Sequence, residues 1–436
     1  MKTLFRHLRE RLRSSLWVVP GLWMISAIIG GRLMVFLDLT FHEVFEEWFP
    51  HLSQSKADGF RSLLTTISSS VLTLAGLVFS ATLVALSLAS SQFGPRLLRN
   101  FIRSRMNQAT FGILIGNFVY CIVVLRFMSP EFTPQLSLLV AFIFVLGSLI
   151  CFVLFAHTII TSLQADQVVA DVYQDLEQAV ETFFPDALPS NTEEKKAIEK
   201  REKWEDPDEN VYLPSEKGGY LQAVKYESLV EIAADLDIRM RVLRLPGEFV
   251  HQQTDLISLA DKFELNEEEK KKILNCFIIG PIRTAEQDFE FFVRQLVEVA
   301  LRALSPGIND PFTAITCIDF LSEALARIAR RRLPRQVYFD VDGKARVAIR
   351  PVSFQSLLDT AFLQIRQTGG TRPDIAISLL NGLRSIARAT STEEHQKAVL
   401  QHTDWTVQTA KEHLDTEHDL QCVEDRRDQI RKICQA

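Results

Sequence analysis

SLLTTISSSVLTLAGLVFSATLVALSLAS, residues 62–90, contains no charged side chain. A membrane-crossing helix needs about 20 mainly apolar residues, because the hydrocarbon core is ~30 Å thick and a helix rises ~1.5 Å per residue. This stretch is long enough, and at helical spacing it has two characters. Ser62, Thr66, Ser69, Thr73, Gly76, Ser80, Leu83, Ser87 and Ser90 form one stripe, small or hydroxylated at every position but Leu83. Leu63, Leu64, Ile67, Val71, Leu74, Leu77, Val78, Val84, Leu86 and Leu88 occupy the other faces, which suit lipid or apolar packing.

The stripe has two physical readings. It is a packing seam if small residues let another helix approach closely and hydroxyls bond across to it. It lines a water-filled path if each subunit of a symmetric oligomer contributes one such helix, with Thr66, Ser69, Thr73, Gly76, Ser80 and Ser87 solvating ions and charged rings at the mouths setting selectivity. The stripe's full-length run of hydroxyls keeps the second reading open.

Three more segments, Leu16–Leu37, Ala109–Met128 and Leu136–Ser162, meet the same length test. The first is too long for a cleavable leader, contains Arg32 and has no small-residue cleavage site before Phe41. Arg32 and Arg126 sit near the outer ends of their spans. Each either snorkels to the interface or contributes to an outer-mouth ring of cations. His157, near the other end of span four, reads as a hydrogen-bonded side chain.

Loop charges orient the chain. Lys2, Arg6, Arg9, Arg11 and Arg13 precede span one, and Arg96, Arg99, Arg103 and Arg105 follow span two. Asp38, Glu43, Glu46, Glu47 and Asp58 are assigned to the loop between spans one and two. Cationic loops stay inside, so both termini are expected to be cytoplasmic in a bacterial inner membrane.

The 436 residues and net charge of −6 average two unlike parts. Residues 1–162 are a transmembrane domain, 163–184 a helical stalk and 185–210 a charged linker. Residues 211–436 form a cytoplasmic mixed α/β domain, mostly helical towards the C-terminus. Strands are expected over Gly219–Lys225, Ile238–Leu245, Glu248–His251 and Asp255–Leu259, with a hairpin around Asp342-Gly343. The stretch Gly247–Leu256 resembles half of a lipoyl-type barrel-sandwich in shape, without its modifiable lysine. Asn266 with Glu269 reads as a capping box. Helices are expected over Ala285–Leu304, from Pro311 to about Arg331, over Phe354–Gln367 and Arg372–Ala389, and over a broken Thr392–Lys432.

Six cysteines without a C-x-x-C pair argue against a zinc or disulfide framework. His395, His402, His413 and His418 lack a clean ligand spacing, so no metal and no cofactor is expected. No phosphate-binding loop or nucleophile motif is present, and the soluble part has no sustained basic face, so neither an enzyme nor a nucleic-acid binder is read. The expected partners are the lipid bilayer, further copies of the chain and ions.

Two motifs add a resemblance. One is Ser90-Ser91-Gln92-Phe93-Gly94-Pro95-Arg96. The other is Arg302-Ala303-Leu304-Ser305-Pro306-Gly307-Ile308-Asn309-Asp310-Pro311. With the layout, they make the chain resemble the bacterial predicted-membrane-protein family catalogued as domain of unknown function 2254. Gly94 stands where the family pattern would place Ser, and Phe292 where it would place Gly. The resemblance implies a multi-pass membrane protein and no particular activity. Gln92, Pro95, Arg96, Arg302, Ser305, Pro306, Gly307, Asn309, Asp310 and Pro311 then form a cytoplasmic motif that either binds a ligand or orders its turn. Function is left between an ion channel or channel-like transporter and a non-conducting scaffold or sensor.

Overall fold

A computed structural model describes residues 18–41, 57–93, 105–129, 132–162, 164–185, 204, 210–260, 265–334 and 336–435. The N-terminal cations, Glu43, Glu46, Glu47, Pro95, Arg96 and most of the charged linker lie outside them. The chain forms two compact units, divided between Val168 and Val169.

The first unit contains α1 (Val18–Thr40), α2 (Ala57–Phe93), α3 (Arg105–Phe127) and α4 (Gln135–Ser162). All four are long and apolar enough to cross a membrane. Span three is central: half of its apolar stretch is buried, against about a fifth in the other three. It packs on α1, α2 and α4. Close approach to α1 depends on Gly112-Ile113-Leu114-Ile115-Gly116, a small-residue pattern that the composition-based reading passes over. A Cβ at Gly112 would lie 2.3 Å from Trp23 Cδ1, and one at Gly31 would lie 2.9 Å from Val123 Cγ1. In lipid, such backbone approach replaces the hydrophobic driving force that water would supply.

Polar contacts fix the remaining geometry. Asn117 Nδ2 donates to Ser148 Oγ at 3.2 Å, and the Tyr120 hydroxyl donates to Ser137 O at 3.0 Å. Asp38 corrects the loop assignment made from charge alone. It lies in the last turn of α1, buried, and accepts from Leu136 N (2.8 Å), Ser137 N (2.9 Å) and Ser137 Oγ (2.5 Å). One helix thus caps the first turn of another, satisfying amides that have no partner of their own.

Helix α5 (Ala165–Phe183), the segment read as a stalk, spans the division between the two units and has most of its length in the second. It is no bare rod. Val169, Val172, Leu176 and Val180 are buried, and Tyr173 stacks on Phe320 at 4.3 Å. Then follow β1 (Asn210–Pro214), β2 (Gly219–Val224), α6 (Tyr226–Asp235), β3 (Met240–Val242), β4 (Phe249–Val250), β5 (Asp255–Ala260), α7 (Glu267–Leu274) and β6 (Phe277–Gly280). The hairpin of β7 (Val337–Phe339) and β8 (Ala345–Ile349) joins them. Strand order is β1-β5-β3-β8-β7 in one sheet and β4-β2-β6 in the other, with β3–β8 the parallel pair. The β4–β5 turn therefore passes from one sheet to the other. Leu221, Met240, Val250, Ile257, Phe277 and Val347 fill the shared core, with Leu229 and Ala233 of α6.

Glycine is required at the Pro246-Gly247 turn. Its φ is +95°, and a Cβ there would lie 2.4 Å from Asp288 Oδ2. The Asn266–Glu269 capping box forms as read.

The helical remainder is α8 (Glu290–Ala303), α9 (Pro311–Ala329), α10 (Phe354–Gly369), α11 (Pro373–Ala389), α12 (Glu393–His413) and α13 (Glu417–Gln435). Helix α8 starts later than the expected Ala285. Asp288 is held by Arg283 Nη2 at 2.9 Å and accepts from Phe291 N at 3.2 Å, so it opens the helix. The expected break in Thr392–Lys432 falls between His413 and Glu417.

Two buried histidines sit in this part. His395 stacks on Phe354 at 4.2 Å, and His402 Nε2 lies 3.0 Å from Asp359 Oδ1, with the Arg366 guanidinium nearby. Burial holds both below the ordinary imidazole value of 6.5, outweighing the pull of Glu394 and Asp359. The unfolded chain therefore binds protons more readily than the fold. Stability should fall as pH drops through 6.5, and replacing His402→Gln should flatten that slope, as measured by thermal unfolding. In the first unit, Gly112→Leu should lower the stability of the detergent-solubilised protein by about 1–3 kcal/mol through overpacking against Trp23.

Candidate functional site

Helix α2 turns one face to its own unit and another away from it. The inward face is Phe60, Leu64, Ser68, Val71, Ala75, Val78, Ala85 and Ala89, all buried. Thr66, Ser69, Thr73, Gly76, Ser80 and Ser87 are all exposed. A Cβ at Gly76 would meet nothing within 4 Å. The hydroxylated stripe is thus not the seam that joins α2 to the other three helices, a point that helical periodicity could not decide. Apolar Leu72, Leu77, Phe79 and Val84 flank it, also exposed.

Several of these hydroxyls are satisfied within the helix. Thr66 Oγ1 donates to Ser62 O (2.8 Å), Ser69 Oγ to Thr66 O (3.0 Å) and Thr73 Oγ1 to Ser69 O (2.9 Å). Their lone pairs still face outward, able to accept from water or to coordinate a cation. Arg32 and Arg126 are exposed on the same four-helix unit. A third cation, Arg61 at the start of α2, donates to Met128 O at 3.4 Å. It escaped the sequence reading because it lies just outside the apolar run.

In the second motif, the structure shows how the turn is built. Asp310 caps α9, accepting from Thr313 N at 3.2 Å, and Pro311 takes the first helical position. Asn309 adopts φ +48°, which short amide side chains tolerate best after glycine. Its Oδ1 accepts from Arg372 Nη1 at 2.8 Å. Asp310 N donates to Ala303 O at 2.8 Å, and Ser305 Oγ to Arg302 O at 2.6 Å. Asn309, Ser305 and Asp310 each have a role in the turn itself. Pro306 and Gly307 are exposed. Of the first motif, Pro95 and Arg96 lie outside the described residues, as does the Gln92 side chain.

A cleft of about 420 Å³ is lined by Pro185, Arg327, Arg330 and Arg331. Arg327 meets Glu177 and Glu323, and Arg331 meets Glu181, so most of its positive charge is locally neutralised. Among the described residues, no three His, Cys, Asp or Glu side chains gather as a metal set.

Four membrane-length apolar helices followed by an α/β unit define a polytopic membrane protein. The chain belongs to the predicted membrane protein family DUF2254, whose model matches residues 13–385. It is 27% identical to an uncharacterized protein of Mycobacterium bovis over 94% of this chain and 79% of the relative. The same figures hold for an uncharacterized protein of Mycobacterium tuberculosis. No solved structure matches.

Replacing Asn309→Ala should cost about 1–3 kcal/mol, combining the left-handed backbone with the lost bond from Arg372. Chemical denaturation of the purified protein measures it.

Proposed function

We propose that this protein is a subunit of a homo-oligomeric ion channel, or channel-like transporter, in the bacterial inner membrane. Helix α2 of each copy turns its hydroxylated stripe towards a shared path. One observation carries the reading: the stripe is exposed on the four-helix unit, while a separate apolar face of α2 packs inward. Fixed charge is absent from the stripe, so hydroxyl oxygens solvate the ion. Arg126 in the last turn of α3, and Arg32, exposed eight residues before the end of α1, supply charge towards the mouth. The arginine-rich residues 96–105 favour a cytoplasmic second unit. The reading includes no catalytic step, cofactor or nucleic acid.

The back-bonded hydroxyls of Thr66, Ser69 and Thr73 favour one second reading. Hydroxyls that need no outside partner also suit a dry seam between copies, in a scaffold or sensor that does not conduct.

Planar-bilayer recording in KCl separates the two. A channel gives discrete current steps in the native chain, and these vanish with Ser80→Phe while the oligomer, measured by mass photometry, stays intact. If the native chain passes no current and Ser80→Phe breaks the oligomer, the stripe is a seam.

A further inference from the structure

The turn between α8 and α9 carries two large apolar side chains in the open. Ile308 is 45% and Phe312 is 77% exposed. The turn does not need them there, since Asp310, Asn309 and Ser305 already order it. It is also stiff: Asn309 N donates to Ser305 O at 2.8 Å, and Arg372 holds the Asn309 side chain. A stiff turn with exposed apolar side chains suits a fluid surface that moulds around it.

Helix register locates this tip within the second unit. Tyr173 of α5 stacks on Phe320 of α9, Glu177 meets Arg327 at 2.5 Å, and Glu181 meets Arg331 at 2.5 Å. Numbers rise together, so the two helices run parallel. Phe312 precedes Phe320 by as many residues as Ala165 precedes Tyr173, a step of roughly 12 Å in each helix. The tip is therefore level with the first turn of α5. The chain leaves α4 at Ser162 and is helical again at Ala165. Three residues bridge at most about 11 Å. Covalent linkage alone keeps the start of α5 near the end of a membrane-length helix, whatever the arrangement of the two units.

We propose that Ile308 and Phe312 seat in the headgroup–acyl boundary of the bilayer that holds the chain's own apolar helices. Aromatic and aliphatic side chains partition into this zone, and a second, reversible contact would tether the soluble unit at the membrane surface. The proposal rests on the apolar helices crossing the membrane and is independent of conduction.

Site-specific photocrosslinking in the full chain tests it. The protein is reconstituted in vesicles of phosphatidylcholine and phosphatidylglycerol, with benzoylphenylalanine replacing Phe312, Ile308 or, as a control, the fully exposed Val341 at the β7–β8 hairpin tip. Irradiation followed by mass spectrometry should find lipid adducts at positions 312 and 308 several-fold above position 341. Lipid yields at 312 no higher than at 341 would overturn the proposal. So would adducts from 312 to a second copy of the chain, which would mark the tip as a protein interface instead.

Discussion

The first unit depends on how closely α1 and α3 approach each other. A bilayer offers no hydrophobic gain for packing one apolar helix on another, so contact area and buried polar bonds must hold the spans together. Gly31, Gly112 and Gly116 create the contact area, with Trp23 seated where a side chain on span three would otherwise stand. Asp38 then ties the end of α1 to the first amides of α4. With α3 surrounded by its three neighbours, α2 is left with one packed face and one open face.

The identity of that open face gives the protein its functional interest. A helix facing only lipid has no need of Thr66, Ser69, Thr73, Ser80 and Ser87 along one line. Their exposure on the unit is the observation on which the proposed path rests. The second unit has a different economy: two small sheets share one apolar core, and the helices pack around α9 and α11. Helix α5, gripped by Tyr173–Phe320 and by the Glu177 and Glu181 ion pairs, is where the chain passes from one unit to the other. Burial against the Phe320 ring pushes the Tyr173 phenol up to about 12, so it remains a neutral hydrogen-bonding group at any physiological pH.

Local chemistry made much of this fold readable. Span length, capping at Asn266 and Asp310, and the Asp342-Gly343 hairpin each depend on residues adjacent in the chain. Asp38 was misassigned for the opposite reason. Its partners are nearly a hundred residues away, and charge alone made it look like part of an acidic loop. The late start of α8 has a local cause that apolar periodicity overlooks: Arg283 pairs with Asp288 five residues on, and Asp288 accepts from Phe291 N.

The sequence by itself determined four membrane-length helices, the two-part organisation and the presence of a hydroxylated stripe, because hydrophobic length and helical periodicity are properties of the chain. Only the tertiary structure decided which way the stripe faces. That choice follows from which side of α2 best fits the surface of α3, a matter of shape between segments that no single segment encodes. The same holds for the Asn309 turn. Its residues announced a bend, but only the folded second unit left Ile308 and Phe312 exposed at its tip.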